Sequence, residues 1–267
     1  MSVEGGTARS DAGGFVSKML VMVELEARKL KHDPTELLTR AIQPALWLLV
    51  FGVVLNEIRI IPTGDLTYLE FLTPGVLAQS VLFISIFYGI SIVWERDLGI
   101  VQKFLVSPTP RSALVTGKAL SAGLRSLSQA LIVYVLAMVI GVSLDLGPLN
   151  IIVMVVTVLL GAAVFATLSL IIACLVKTRE RFMGIGQMIT MPLFFASNAI
   201  YPISIMPTWL QVISYGNPLT YMVDALRCTM IVGGTTDFGL GVDLAVLGGF
   251  ALVLVLIAGR LYPRVGW

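Results

Sequence analysis

Six stretches of this chain are apolar for long enough to cross a lipid bilayer, and that constrains the fold more than any motif. A crossing helix needs about 20 mostly apolar residues, because the hydrocarbon layer is about 30 Å thick and each helical residue rises about 1.5 Å. The stretches are Leu38–Leu55, Phe71–Trp94, Leu120–Val142, Ile151–Val176, Phe182–Ile205 and Leu244–Leu261. Inside hydrocarbon every backbone N–H and C=O must find its partner within the protein, so such stretches are expected to be α-helices. The first and fifth are the least regular: Arg40, Gln43 and Pro44 open one, while Pro192 and Asn198 interrupt the other. Composition agrees, since only 13% of residues are charged and mean hydropathy is +0.93. A soluble chain carries about 25% charge. The expected class is an all-α polytopic membrane protein with six transmembrane helices.

Lys and Arg placement gives the orientation. With the N-terminus inside, every basic residue except Arg59 and Arg227 falls on the cytoplasmic side. Glu57, Asp65, Glu70, Asp145, Asp224, Asp237 and Asp243 collect on the outer side. Both termini are therefore expected in the cytoplasm. A net charge of +2 with no basic face gives nucleic acid nothing to bind.

Residues 1–14 are small and polar, without the apolar core of a signal peptide, and are expected to form a disordered cytoplasmic tail. In the segment 15–36, Phe15, Met19, Met22, Val23, Ala27 and Leu30 recur at helical spacing, with Glu26 breaking the arc. It is too short and charged to span, so the expectation is an interfacial amphipathic helix on the inner surface, against the alternative of a tail helix packed on a loop. Residues 37–267 then make up the six-span domain.

Between the last two stretches, residues 198–234 stay moderately apolar but are broken by Pro202, Pro207, Gly216 and Pro218. Pro207 is placed to open a short helix, and Asn217-Pro218 has the form of an N-cap followed by Pro at the first helical position. The expectation is two short re-entrant helices before the last span, with Trp209, Tyr215 and Tyr221 at the outer interface. An ordinary external loop is the alternative.

Catalytic motifs are missing. Gly117-Lys118 is followed by Ala119 and lacks the upstream glycine of a phosphate loop. His32 is the sole histidine, which removes zinc motifs of the H-E-x-x-H kind and His-based triads. Gly89-Ile90-Ser91 lacks the rest of a nucleophile elbow, so Ser91 is expected to bond back within a helix. Cys174 and Cys228 fall towards opposite faces and are expected to stay unbridged. No ionisable group stands at mid-span, as a proton- or sodium-driven carrier would require. The energy for any transport must then arrive from outside the chain.

The one extended polar stretch between apolar segments is 95–118. It opens with Glu95-Arg96-Asp97-Leu98-Gly99 and continues Ile100-Val101-Gln102-Lys103-Phe104-Leu105-Val106 to Ser107-Pro108-Thr109-Pro110-Arg111. Asp97-Leu98-Gly99 can end one helical turn. Ile100, Val101, Phe104 and Leu105 then share one apolar helical face, and Ser107-Pro108 stops it, because the residue before Pro is pushed out of the α region. A short amphipathic helix between charges suits a partner's groove.

This run, followed by Gly117-Lys118, closely resembles the loop after the second span of ABC-2-type permeases, in the daunorubicin-resistance and nodulation-factor branch. Asn217-Pro218-Leu219-Thr220-Tyr221 and Asp224-Ala225-Leu226-Arg227 resemble the stretch before that family's last span, and the likeness covers about residues 15–262. The resemblance implies the membrane-spanning permease subunit of an ATP-binding-cassette exporter in a bacterial plasma membrane. It implies a cytoplasmic coupling helix seated in the ATPase, with Glu95, Arg96, Asp97, Gly99, Val101, Phe104, Leu105, Ser107 and Pro108 at the contact. It implies two copies of a separate ABC ATPase that binds ATP and Mg2+, no cofactor in this chain, and a second permease chain as a homodimer or heterodimer. A substrate path is implied along the second and fifth spans, which offer Phe83, Phe87, Tyr88, Met188, Met191, Phe194 and Phe195. Those side chains suit a drug-like or lipid-like cargo. Export of a lipid-linked saccharide or an ion, and an ion-driven secondary carrier, are the alternatives. A membrane-embedded enzyme and a non-transporting scaffold complete the readings left open.

Overall fold

The computed structural model describes residues 34–58, 61–98, 111–176 and 178–261. The chain divides after Arg40 into two units. In the first, Pro34–Arg40 are the helical residues described. The second, from Ala41 onwards, holds the helix bundle. The tail expected over 1–14 and the interfacial helix expected over 15–36 lie outside the described residues as far as residue 33; residues 34–36 belong to the first described helix.

The described residues are almost wholly helical. Helix α1 (Pro34–Leu46) runs through a π-helical stretch, Trp47–Gly52, into α2 (Val53–Ile58). Then come α3 (Tyr68–Tyr88), α4 (Ile90–Asp97), α5 (Arg111–Ile140), α6 (Pro148–Leu175) and α7 (Arg179–Phe195). Two short helices, α8 (Thr208–Tyr215) and α9 (Pro218–Met230), precede α10 (Leu240–Leu261).

Among the described residues, five helical stretches are long and apolar enough to cross a membrane: Thr39–Ile58, Tyr68–Tyr88, Ser121–Ile140, Pro148–Leu175 and Leu240–Leu261. Each overlaps an expected span. The expected span Phe182–Ile205 instead becomes the 17-residue helix α7 and an irregular segment. At about 1.5 Å per residue, 17 residues reach about 25 Å, short of the hydrocarbon thickness. Pro192 sits inside that helix without breaking it, and the helix ends at Phe195. The chain then turns through Ser197, Asn198 and Ala199, all buried.

Helix α3 is the central pillar. Its start is fixed by a capping box, in which the Thr67 hydroxyl accepts from the Glu70 amide at 3.3 Å and the Glu70 carboxylate accepts from the Thr67 amide at 2.9 Å. From Phe71 to Ile86 it is buried nearly throughout, packed against α5, α6, α7 and α9. Glycine permits the close approach. A Cβ at Gly75 would lie 2.4 Å from the Ala199 carbonyl oxygen, and one at Gly161 on α6 would lie 2.3 Å from the Met222 sulfur on α9.

Helix α9 is not a surface element. Leu219, Met222, Val223 and Leu226 are fully buried against α3, α6 and α10. By contrast α8 exposes Trp209, Val212 and Ile213. The outward faces of α5 and α10 expose Leu131, Val135, Val139, Leu252, Val253 and Leu256, side chains that only hydrocarbon or another apolar surface would solvate well. At the Tyr68 end of the bundle the α5–α6 turn is sewn to the end of α9 by the Asp145 amide on the Met230 carbonyl (2.8 Å) and the Val232 amide on the Ser143 carbonyl (3.0 Å).

Candidate functional site: the break at Gly89 and the end of α4

The stretch expected as one span from Phe71 to Trp94 is two helices, with Gly89 between them. A helix break frees carbonyls that must be satisfied in an apolar setting. Here two serines do it. The Ser169 hydroxyl, from α6, donates to the Ile86 carbonyl, and the Ser91 hydroxyl donates to the Tyr88 carbonyl at 2.7 Å. The back-bonding expected of Ser91 is thus found, as the cap of the break. Gly89 is required because a Cβ there would fall 1.9 Å from Ser169 Oγ and 2.9 Å from Phe182 Cζ.

Two arginine–aromatic stacks flank the break. Arg125 on α5 lies 5.2 Å from the centroid of the Tyr88 ring, and Arg179, the first residue of α7, lies 3.6 Å from that of Trp94 on α4. Beneath the second stack, Val93 is buried in an apolar cluster with Phe182, Leu170, Ala173 and Val176. Helix α4 is therefore held against α6 and the start of α7. Thr178 caps α7 by accepting from the Arg181 amide at 3.4 Å.

Glu95, Arg96 and Asp97 form the last turn of α4. Asp97 is the last helical residue of α4, and Gly99 of the expected Asp97-Leu98-Gly99 turn lies outside the described residues. Gly99, Val101, Phe104, Leu105, Ser107 and Pro108 lie outside the described residues. On α3, Phe83 and Phe87 are half-buried with their rings stacked 6.0 Å apart, and Phe87 packs beside Gly186 of α7. On α7, Met188, Met191 and Phe195 are exposed. Phe194 has no exposed surface; its ring packs edge-on to Trp47 at 5.4 Å and to Phe195 at 5.4 Å. It belongs to the packing behind this face rather than to the face itself.

At the Tyr68 end, a polar cluster is buried among apolar helices. Arg227 on α9 stacks on Phe71 with Cζ 3.9 Å from the ring centroid, and its Nη2 donates to the Asn198 carbonyl at 2.7 Å. Asp224, one turn earlier, accepts from the amides of Asp237 and Phe238 at 2.9 and 3.2 Å. Asn217 ties two helices together. Its Oδ1 caps α9 by accepting from the Leu219 amide at 2.9 Å, while its Nδ2 donates to the Leu193 carbonyl at the end of α7 at 2.7 Å. The expected cap and first-turn proline at Asn217-Pro218 are present as read.

Comparison with known sequences gives the family. The profile of the ABC-2 type transporter family matches residues 18–231, which is most of the chain. The protein belongs to the ABC-2 type transporter family. Among relatives of this permease is the putative transport permease ycf38 of Cyanophora paradoxa, 28% identical over 215 residues, covering 80% of this chain and 74% of the relative. The daunorubicin-resistance ABC transporter permease DrrB1 of Streptomyces coeruleorubidus is 28% identical over 237 residues, 87% of this chain and 81% of that one. The inner membrane transport permease YadH of Escherichia coli K12 is 24% identical over 228 residues, 82% and 84% of the two chains. The family match takes in the residues of the Gly89 break, the Trp94–Arg179 stack and the Arg227 cluster. Sequence reasoning missed the break and both stacks; a glycine five residues before the tryptophan ending an apolar run was the available signal.

Proposed function

We propose that this ABC-2 permease is the membrane subunit of an exporter that moves a hydrophobic or amphipathic substrate, drug-like or lipid-like, out of the cytoplasm or inner leaflet. A separate ABC ATPase in two copies binds ATP and Mg2+ and supplies the energy. This chain pairs with a second permease chain in a bacterial plasma membrane, with both termini cytoplasmic and α7 with its irregular extension completing six spans. The loop 95–118 receives the force: Glu95, Arg96 and Asp97 ring the contact, and Val101, Phe104 and Leu105 seat in the ATPase between Gly99 and Ser107-Pro108.

The observation that carries this reading is the break at Gly89, which separates the span α3 from a helix, α4, that leads straight into the loop. Substrate contact falls to the exposed or half-buried Phe83, Phe87, Tyr88, Met188, Met191 and Phe195, with Phe194 behind them. Phenylalanine and methionine adapt to varied apolar shapes. That the relative DrrB1 is named for daunorubicin resistance supports a drug-like cargo. The test is the Gly99→Asp substitution in the complex with its ATPase. It is expected to leave the chain in the membrane and ATP hydrolysis measurable while transport is lost; unchanged transport overturns the role of the loop.

A further inference from the structure

We propose that the Trp94–Arg179 stack is a positioning contact that passes movement of α4 sideways to α7, rather than along α3. This rests on the exporter reading above.

At Gly89 the helical bonding tightens to an i−3 bond, the Gly89 amide on the Ile86 carbonyl at 3.2 Å, so α4 joins the central pillar through a weakened turn. The end of the pillar is instead anchored. Ile86 is fully buried, and its carbonyl is held by the Ser169 hydroxyl of α6. Tyr88 is further stacked on Arg125 of α5. A push on α4 therefore meets a fixed neighbour on the α3 side. On the α7 side it meets the first turn of a helix that starts afresh at Arg179 behind the Thr178 cap. Phe182 of that turn meets Val93 in the buried cluster that both share with Leu170 and Ala173 of α6, and the Arg179 guanidinium lies 3.6 Å from the Trp94 ring. Cation–π attraction acts within about 6 Å of a ring centroid, so this stack is fully engaged. Trp94 is 49% exposed, so the contact lies at the surface of the bundle and can be changed without opening the core. Helix α7 in turn carries Met188, Met191 and Phe195, the exposed half of the proposed path.

The test uses the permease with its co-purified ATPase in nanodiscs, with Cys174→Ser and Cys228→Ser and one reporter thiol, Met183→Cys, on α7. Met183 is 52% exposed and outside the proposed path and contact residues. The readout is the rate of maleimide labelling with and without ATP and vanadate. The unaltered stack is expected to give at least a threefold change in rate on vanadate trapping. Trp94→Ala and Arg179→Gln should abolish that change with the ATPase still bound in full, and Trp94→Phe and Arg179→Lys should keep it.

A wild-type-sized change in Trp94→Ala and Arg179→Gln overturns the proposal. So does loss of the ATPase from those variants, which would make the pair part of the docking surface. A rate that does not respond to nucleotide with the stack intact and the ATPase bound overturns the movement of α7. Failure of any ATPase to co-purify with the unaltered chain overturns the exporter reading itself.

Discussion

Arg227 and Asn198 meet across two elements: the arginine Nη2 on α9 donates to the Asn198 carbonyl at 2.7 Å, in the turn that comes after α7. Arg227 is 5% exposed, with its guanidinium stacked on Phe71. A buried charge of this kind is tolerated only when its donors and field are answered. Here the Asn198 carbonyl answers one donor, the Phe71 ring answers the face, and the charges of Asp224 and Asp237 oppose the positive one, while Nε has no partner among the described residues, so the charge is only partly compensated. The arrangement locks α9, the α7 turn and the start of α3 to one another.

Arg227→Met keeps the length and removes the charge. The Asn198 carbonyl then loses a charged donor inside an apolar bundle, which costs about 1.5–3 kcal/mol. Thermal unfolding of the variant in nanodiscs should show a clearly lowered midpoint. Asp224→Asn in the same chain should recover part of it by removing the excess negative charge.

Of the six stretches expected to cross, five coincide with helices among the described residues that are long and apolar enough to do so, because hydrocarbon leaves a chain few choices; Asn217-Pro218 announced α9 because its cap is local chemistry. The break at Gly89 was hidden. Gly89 stands inside an unbroken apolar run, and only Ser169 and Phe182, eighty or more positions away, decide that nothing larger fits. Likewise Arg125 and Arg179 looked like residues obeying a charge rule, and their stacks on Tyr88 and Trp94 depend on helix packing that periodicity does not encode. The shortness of α7 was half legible: Pro192 and Asn198 marked an irregular stretch, without saying where the helix would stop.

Gly89→Ala should be among the most damaging small substitutions in the chain. Its Cβ would overlap Ser169 Oγ, and overpacking of this kind costs about 1–3 kcal/mol. Ser169→Ala in the same chain should relieve the clash only in part, since Phe182 Cζ remains 2.9 Å away. A double-mutant cycle on thermal midpoints measures the coupling.

Two other glycines give a paired comparison. At Gly75 a Cβ would meet main chain, 2.4 Å from the Ala199 oxygen, whereas at Gly184 nothing lies within 4 Å. Gly75→Ala should lower stability by about 1–3 kcal/mol. Gly184→Ala, in the interior of α7, should be neutral or raise stability by up to about 1 kcal/mol through helix propensity. Chemical or thermal unfolding of both variants checks the contrast.

Orientation is open to direct chemistry. With Cys174 and Cys228 replaced by serine, a thiol placed by Thr109→Cys should react with an impermeant maleimide in inverted vesicles and stay unreactive in intact cells. Labelling from outside would reverse the topology and remove the loop from reach of any cytoplasmic ATPase.

The most direct measurement is purification of this permease from its native membrane in a mild detergent, with identification of what stays bound. The account predicts a stoichiometric P-loop ATPase that is retained by the unaltered chain and lost on Leu105→Asp. Absence of any ATPase from the unaltered chain, in several detergents and in nanodiscs, would contradict it.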